Sequence, residues 1–213
     1  ITNSASIAGK FFNNKQLANY IAIDVNANSS SLANYSPIYP LDVIGSTRNS
    51  TGQWLSGSDQ RIKNNIVDAV QQIDKLIEEF SPSALIGSSL GGFYATYFSE
   101  QYNLKCVGIN PAVIPPAEMS EYLGENKNYS TGEKFLINQE QLDLLDRMGR
   151  EIKVIKCPRN FMILLQSHDE KLDYRVATNF YRGAVLDVTF GGNHSFENLE
   201  THFSKIKIFL DMH

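Results

Sequence analysis

An α/β fold, a mostly parallel sheet with helices on both faces in a three-layer sandwich, is predicted by three observations. Short apolar runs, at 84–86, 106–109, 161–165 and 185–190, alternate with segments of helical period. The 213 residues suffice for one domain with a single sizeable core and leave no room for two of ordinary size. No internal repeat or low-complexity tract interrupts the alternation.

Each element has its own warrant. In 6–20, Ile7, Phe11, Phe12, Leu17 and Tyr20 fall near helical spacing. A short apolar run at 21–25 reads as a strand ending in an Asn/Ser cluster. The stretch 26–60 is rich in Asn, Ser, Gly and Thr and reads as an irregular insertion, with one candidate strand at 41–44. Residues 61–80 form the clearest helix, because Ile62, Ile66, Val67, Val70, Ile73, Leu76 and Ile77 share one face. After the Ser81-Pro82-Ser83 breaker come the strand at 84–86, a helix over 92–101, and a strand at 106–109 that Asn110-Pro111 ends. From 111 to 156 the chain leaves the sheet, stiffened by Pro111, Pro115 and Pro116, with a helix at 139–148. This excursion is either a cap over a pocket or a packed surface loop. A helix over 174–181 lies between the last two strands, and a final helix spans 199–210.

Composition narrows the function classes. A net charge of −4 with interspersed signs offers no basic stripe for nucleic acid. Apolar stretches reach five or six residues, far short of the roughly 20 that cross a bilayer. No leader pattern opens the sequence, and the expected setting is cytoplasmic. The chain begins at Ile1 and its first methionine is Met119, so the expectation is that a segment precedes Ile1. Cys106 and Cys157 are too few for a disulfide framework and read as buried, inert thiols. No His/Asp/Glu cluster has metal-ligand spacing, and no phosphate loop or dinucleotide fingerprint occurs, so neither metal nor cofactor is expected.

Gly87-Ser88-Ser89-Leu90-Gly91 fits G-x-S-x-G, the pattern of a nucleophile elbow. A tight strand-to-helix turn strains its central residue, so small neighbours are a steric need. The turn lifts a hydroxyl above the sheet edge and aims the first N–H groups of the next helix at the same point. Ser89 is therefore the candidate nucleophile, and the backbone N–H of Leu90 a candidate oxyanion donor. A plain Gly-Ser turn has the same composition, but the strand before it and the helix after it are what the elbow requires.

A serine hydroxyl attacks only when a base takes its proton, and that base must be held in one tautomer by a third group. On this fold the three come in the order Ser, Asp or Glu, His. Of the four histidines, His194 lies in Gly191-Gly192-Asn193-His194, directly after a strand, where open α/β sheets place their ligands. His202 falls within the last helix and His213 ends the chain, and both read as solvated. For the acid, Asp169 comes first after the strand at 161–165. Asp173 is the rival, better suited to cap the following helix. Glu170 would point away if Asp169 points in.

From residue 85 onward the sequence resembles the bacterial YqiA/YcfP-like family of small α/β-hydrolase esterases. IGSSLGGFYATYFSE, NPAVIPP, EYLGENKNYSTGEKF, LLQSHDEKLDYR and GGNHSFENLETHFSKIKIFL carry the resemblance in order. It implies an α/β-hydrolase fold, a nucleophile at Ser89, an acid at Asp169 and a base at His194. The implied substrates are small to medium acyl esters or acyl thioesters, and Val113, Ile114, Tyr122 and Leu123 are the apolar candidates for an acyl pocket. The sequence departs from the family at His168, where Gly precedes the acid. It also lacks the front His-Gly loop that supplies a second oxyanion N–H. The helix at 6–20 resembles the one that follows that loop, so the front strand is expected ahead of Ile1, with 41–46 as the alternative.

Three functions are thus in play: hydrolysis through an acyl-enzyme, acyl transfer by the same residues to another acceptor, and a weakly active hydrolase fold kept as a binding module.

Overall fold

The computed structural model describes residues 20–23, 43–44, 66–113, 123–127 and 134–211. Within them a six-stranded sheet runs in the order β2-β1-β3-β4-β7-β8, every pairing parallel. Its strands are β1 (Tyr20–Ile23), β2 (Val43–Ile44), β3 (Ala84–Ser89), β4 (Lys105–Pro111), β7 (Phe161–Gln166) and β8 (Val185–Thr189). The helices are α1 (Ile66–Phe80), α2 (Leu90–Tyr102), α3 (Gln139–Glu151), α4 (Tyr174–Phe180) and α5 (Phe203–Phe209). A separate antiparallel hairpin, β5 (Gly124–Lys127) with β6 (Lys134–Ile137), stands apart from the sheet.

Alternation along the central strands builds two cores. Leu85, Cys106, Phe161, Ile163 and Leu165 face one side and pack with Ile73 and Ile77 of α1, Phe93 and Phe98 of α2, and Leu145 and Met148 of α3. Ala84, Ile86, Val107, Ile109, Met162 and Leu164 face the other, against Phe196, Leu199, and Ile206 and Leu210 at the last helix. Burial on both faces is why these strands read as continuous apolar runs.

The predicted strands and helices at 84–109 and 161–190 are present with ends moved by at most three residues. The last helix differs: its first turn is a 3₁₀ segment, Leu199–His202, that leads into α5. The hairpin was not foreseen, because its strand sequences, GENK and KFLI, carry no apolar alternation. Tyr20, expected to end a helix, begins β1, and the rest of that predicted helix lies outside the described residues. The strand predicted at 21–25 is present as Tyr20–Ile23, paired with β3, and the candidate strand at 41–44 is present as Val43–Ile44.

Helix α3 lies within the excursion at 111–156. Gln141, Leu142, Leu145 and Met148 are buried on one face, and its N-cap Asn138 accepts the N–H of Gln141. Leu145 and Met148 join the core cluster that α1 and α2 share.

Two smaller expectations are corrected. Cys106 is buried, and burial pushes its thiol up to about 12, but Cys157 is exposed, as the N-cap of the 3₁₀ segment Pro158–Asn160 that precedes β7. His202 is buried, not solvated: its Nδ1 lies 2.9 Å from Asp187 Oδ2 of β8 and its ring meets Phe196 edge-on.

Because Leu145 is wholly buried, Leu145→Ala should destabilise the protein by about 2–5 kcal/mol, read from the urea midpoint. An unchanged midpoint would contradict this packing.

Candidate active site

The strand order reverses between β1 and β3: the chain runs from β1 out to β2, then returns to β3 on the other side. Such a switch point opens a crevice at the carboxyl ends of the strands. Ser89 stands there, the last residue of β3 and the N-cap of α2, with φ 54° and ψ −125°. That conformation is strained for a residue with a Cβ. Its cause is steric: a Cβ on Gly87 would lie 2.1 Å from the carbonyl oxygen of Gly91, and one on Gly92 2.6 Å from Pro111 Cβ. The turn is packed too tightly for side chains at either position. The first N–H groups of α2, Leu90 included, have no partner within the helix and begin directly at the serine.

His194 lies on the loop after β8 and Asp169 on the turn after β7. His194 Nε2 is 3.0 Å from Ser89 Oγ, and its Nδ1 is 2.9 Å from each carboxyl oxygen of Asp169. A carboxylate only accepts, so Nδ1 carries the ring proton and Nε2 is left to accept from the serine. The Asp169 side chain is 2% exposed and that of His194 22%. Asp169 Oδ1 also accepts the N–H groups of Lys171 at 2.8 Å and Leu172 at 2.9 Å, which fixes the carboxylate.

The neighbouring acids sort themselves by geometry. Asp173 caps α4 by accepting the N–H of Arg175, as its position predicts. Glu170 does not simply point away: its Oε2 accepts the N–H of His194 at 2.9 Å. That bond holds the Glu170 carboxyl below the usual range. His168 is exposed, and its N–H donates to Gly191 O at 3.1 Å.

Two buried amides that the sequence reading passed over hold the His194 loop. Gln166 Oε1 accepts the N–H of Asn193 at 3.0 Å and of Glu197 at 2.8 Å, and its Nε2 donates to Glu197 O. Gly192, at φ 74°, lies so close that a Cβ there would fall 2.0 Å from Gln166 Oε1. Asn110 Nδ2 donates to the carbonyls of Asn193 and His194. The available signal was a polar residue ending each of two apolar strands, β4 and β7.

Of the apolar candidates, Val113 lines a small cavity of about 20 Å³ with Phe93, Ala112, Gly149, Ile152, Phe180 and Tyr181. Leu123 is exposed just before β5. Ile114 and Tyr122 lie outside the described residues. Among the described residues no group of His, Cys, Asp and Glu is placed to hold a metal ion, and no helix is long and apolar enough to cross a membrane.

The parallel sheet, its flanking layers and the serine at the switch point define an α/β-hydrolase fold, and solved structures agree. A putative hydrolase of Agrobacterium vitis S4 superposes with a TM-score of 0.57 at 16% identity, covering 90% of this chain and 88% of the other. A monoacylglycerol lipase of Paleococcus ferrophilus gives 0.59 at 14%, covering 91% and 95%. The chain belongs to the family described as Uncharacterised protein family (UPF0227), whose profile matches residues 47–211; this is the YqiA family that the motifs resemble. Relatives include UPF0227 protein YpsIP31758_1593 of Yersinia pseudotuberculosis, 24% identical over 160 residues, or 74% of this chain and 82% of the relative. UPF0227 protein PC1_2487 of Pectobacterium carotovorum is 24% identical over 167 residues, or 73% and 81%.

Gly87→Ala would drive a methyl into the backbone of Gly91 and Gly92. It should cost about 1–3 kcal/mol or more, measured by urea unfolding. The Glu170 bond predicts a pH dependence. With the folded-state carboxyl below its unfolded value, its stabilisation is complete above the ordinary glutamate range and is lost as pH falls through the lowered value. The melting temperature of wild type should therefore exceed that of Glu170→Ala at neutral pH, and the gap should close in acid.

Proposed function

We propose that this chain is a serine hydrolase that cleaves carboxylic ester or thioester bonds of small to medium acyl substrates through an acyl-enzyme on Ser89. The observation that carries this reading is the unbroken hydrogen-bonded line from Asp169 through His194 to Ser89 Oγ at a strained strand-to-helix turn. The hydrolase fold, shared with esterases and a lipase, agrees with it.

The chemistry follows from the geometry. Ser89 Oγ attacks the acyl carbon while His194 Nε2 takes the hydroxyl proton, and Asp169 stabilises the imidazolium that results. The carbonyl oxygen becomes an oxyanion beside the first N–H groups of α2, where the Leu90 N–H and the helix dipole favour negative charge. The intermediate collapses as His194 gives its proton to the leaving alkoxide or thiolate, and the acyl group stays on Ser89. Water then attacks that ester with His194 again as base, the acyl–Oγ bond breaks as His194 returns the proton to Ser89, and the carboxylic acid departs. Val113, Ile114, Tyr122 and Leu123 are proposed for the acyl side.

The test is the hydrolysis of p-nitrophenyl acetate and of an acetyl thioester. Ser89→Ala and His194→Ala should each lower kcat by about 10⁴-fold or more, the double variant no further than either, and Asp169→Asn by about 10⁴-fold. Activity surviving in Ser89→Ala would contradict the assignment.

A further inference from the structure

We propose that Asn110 is a positioning residue that sets the His194 imidazole on Ser89 by tying the three loops of the site together; the inference rests on the serine-hydrolase reading above. Strand β4 lies between β3, which carries the serine, and β7, which leads to the acid. Asn110, its penultimate residue, is 1% exposed. Its Oδ1 accepts the N–H of Gln166, the last residue of β7, at 2.9 Å. Its Nδ2 donates to the carbonyls of Asn193 at 3.1 Å and His194 at 3.3 Å. One residue on, Pro111 is paired with Ser89, and the Ala112 N–H donates to the Ser89 carbonyl at 2.9 Å. The turn 110–112 therefore grips the backbone of the nucleophile, the backbone of the base and the strand that delivers the acid.

The polarity of the amide is what the position demands. His194 is anchored from both sides, its carbonyl by Asn110 and its N–H by Glu170. With the backbone fixed, only the side-chain torsions remain to place the ring. A carboxylate has the same shape but would turn an acceptor toward two carbonyl oxygens, and an apolar side chain would leave them and the Gln166 N–H without partners. The backbone adds a further condition. Asn110 has φ 39°, in the left-handed region that Asn, Asp and Gly enter most readily. Asn110→Asp and Asn110→Gly thus change the side chain while respecting the backbone, which Asn110→Ala does not.

Misplacing reacting groups by about 1 Å costs on the order of 10²-fold in rate. For Asn110→Asp and Asn110→Gly the expected result is a kcat lower by about 10²-fold, with KM within about twofold. The rate constant for fluorophosphonate labelling of Ser89 should fall by the same factor. Both quantities are taken per folded molecule, the folded fraction being read from near-ultraviolet circular dichroism. A merely structural Asn110 would lower the melting temperature and leave both rates unchanged, and that result in either variant overturns the proposal. If wild type itself does not label at Ser89, the hydrolase reading fails and takes this inference with it. Labelling in wild type at full rate in both variants removes the inference alone.

Discussion

Ser89 holds a backbone conformation that an L-residue avoids, at φ 54° and ψ −125°, and the surrounding molecule is built to keep it there. The strain is of the order of 1–3 kcal/mol and persists because no relaxed alternative fits. Strand β3 is buried between two neighbours, helix α2 is packed on the sheet through Phe93, Tyr94, Ala95 and Phe98, and the turn joining them has no slack. Gly87 admits the Gly91 carbonyl, and Gly92 admits Pro111. The sheet register even breaks between Ser88 and Ser89, so that Ser89 pairs with Pro111. What emerges is a hydroxyl above the sheet, next to the positive end of a helix.

A parallel sheet delivers its loops to one edge but does not join them. Here the joining is done by buried polar side chains, each spending its hydrogen bonds on loop backbone. Gln166 closes the His194 loop from the end of β7, and Asn110 closes it from β4. Behind the same loop, Asp187 meets both His202 and Lys205, while Phe196, 1% exposed at φ 62°, packs edge-on against the His202 ring. Burial raises the Asp187 carboxyl, yet the hydrogen bonds from Lys205 and His202 outweigh it and hold it below its ordinary value. Unpaired, such groups would cost more than the loops could repay. Paired, they make the position of His194 a property of the core.

The features legible in the sequence were those with a local cause. Apolar runs buried on both faces marked the central strands, G-x-S-x-G marked the turn at Ser89, and Asp173 announced itself as a helix cap. Ser89, Asp169 and His194 were marked by order along the chain, and they come within hydrogen-bond distance. What the sequence hid was tertiary. Asn110 read as a strand terminator because its amide acts on residues 83 and 84 positions away. Gln166 looked like the edge of a loop, and His202 like a solvated helix residue, until the sheet placed Asp187 beside it. The hairpin β5–β6 was silent for a different reason: Glu125, Lys134 and Leu136 are exposed, and no hydrophobic period marks its strands.

The account stands on Ser89 being an activated nucleophile. Its most direct test is exposure of the intact protein to a fluorophosphonate, with the adduct located by mass spectrometry of peptides. One adduct per chain, on Ser89, absent from Ser89→Ala and strongly slowed in His194→Ala, is the predicted result. A folded protein that takes up no adduct, or carries it elsewhere, would contradict the account.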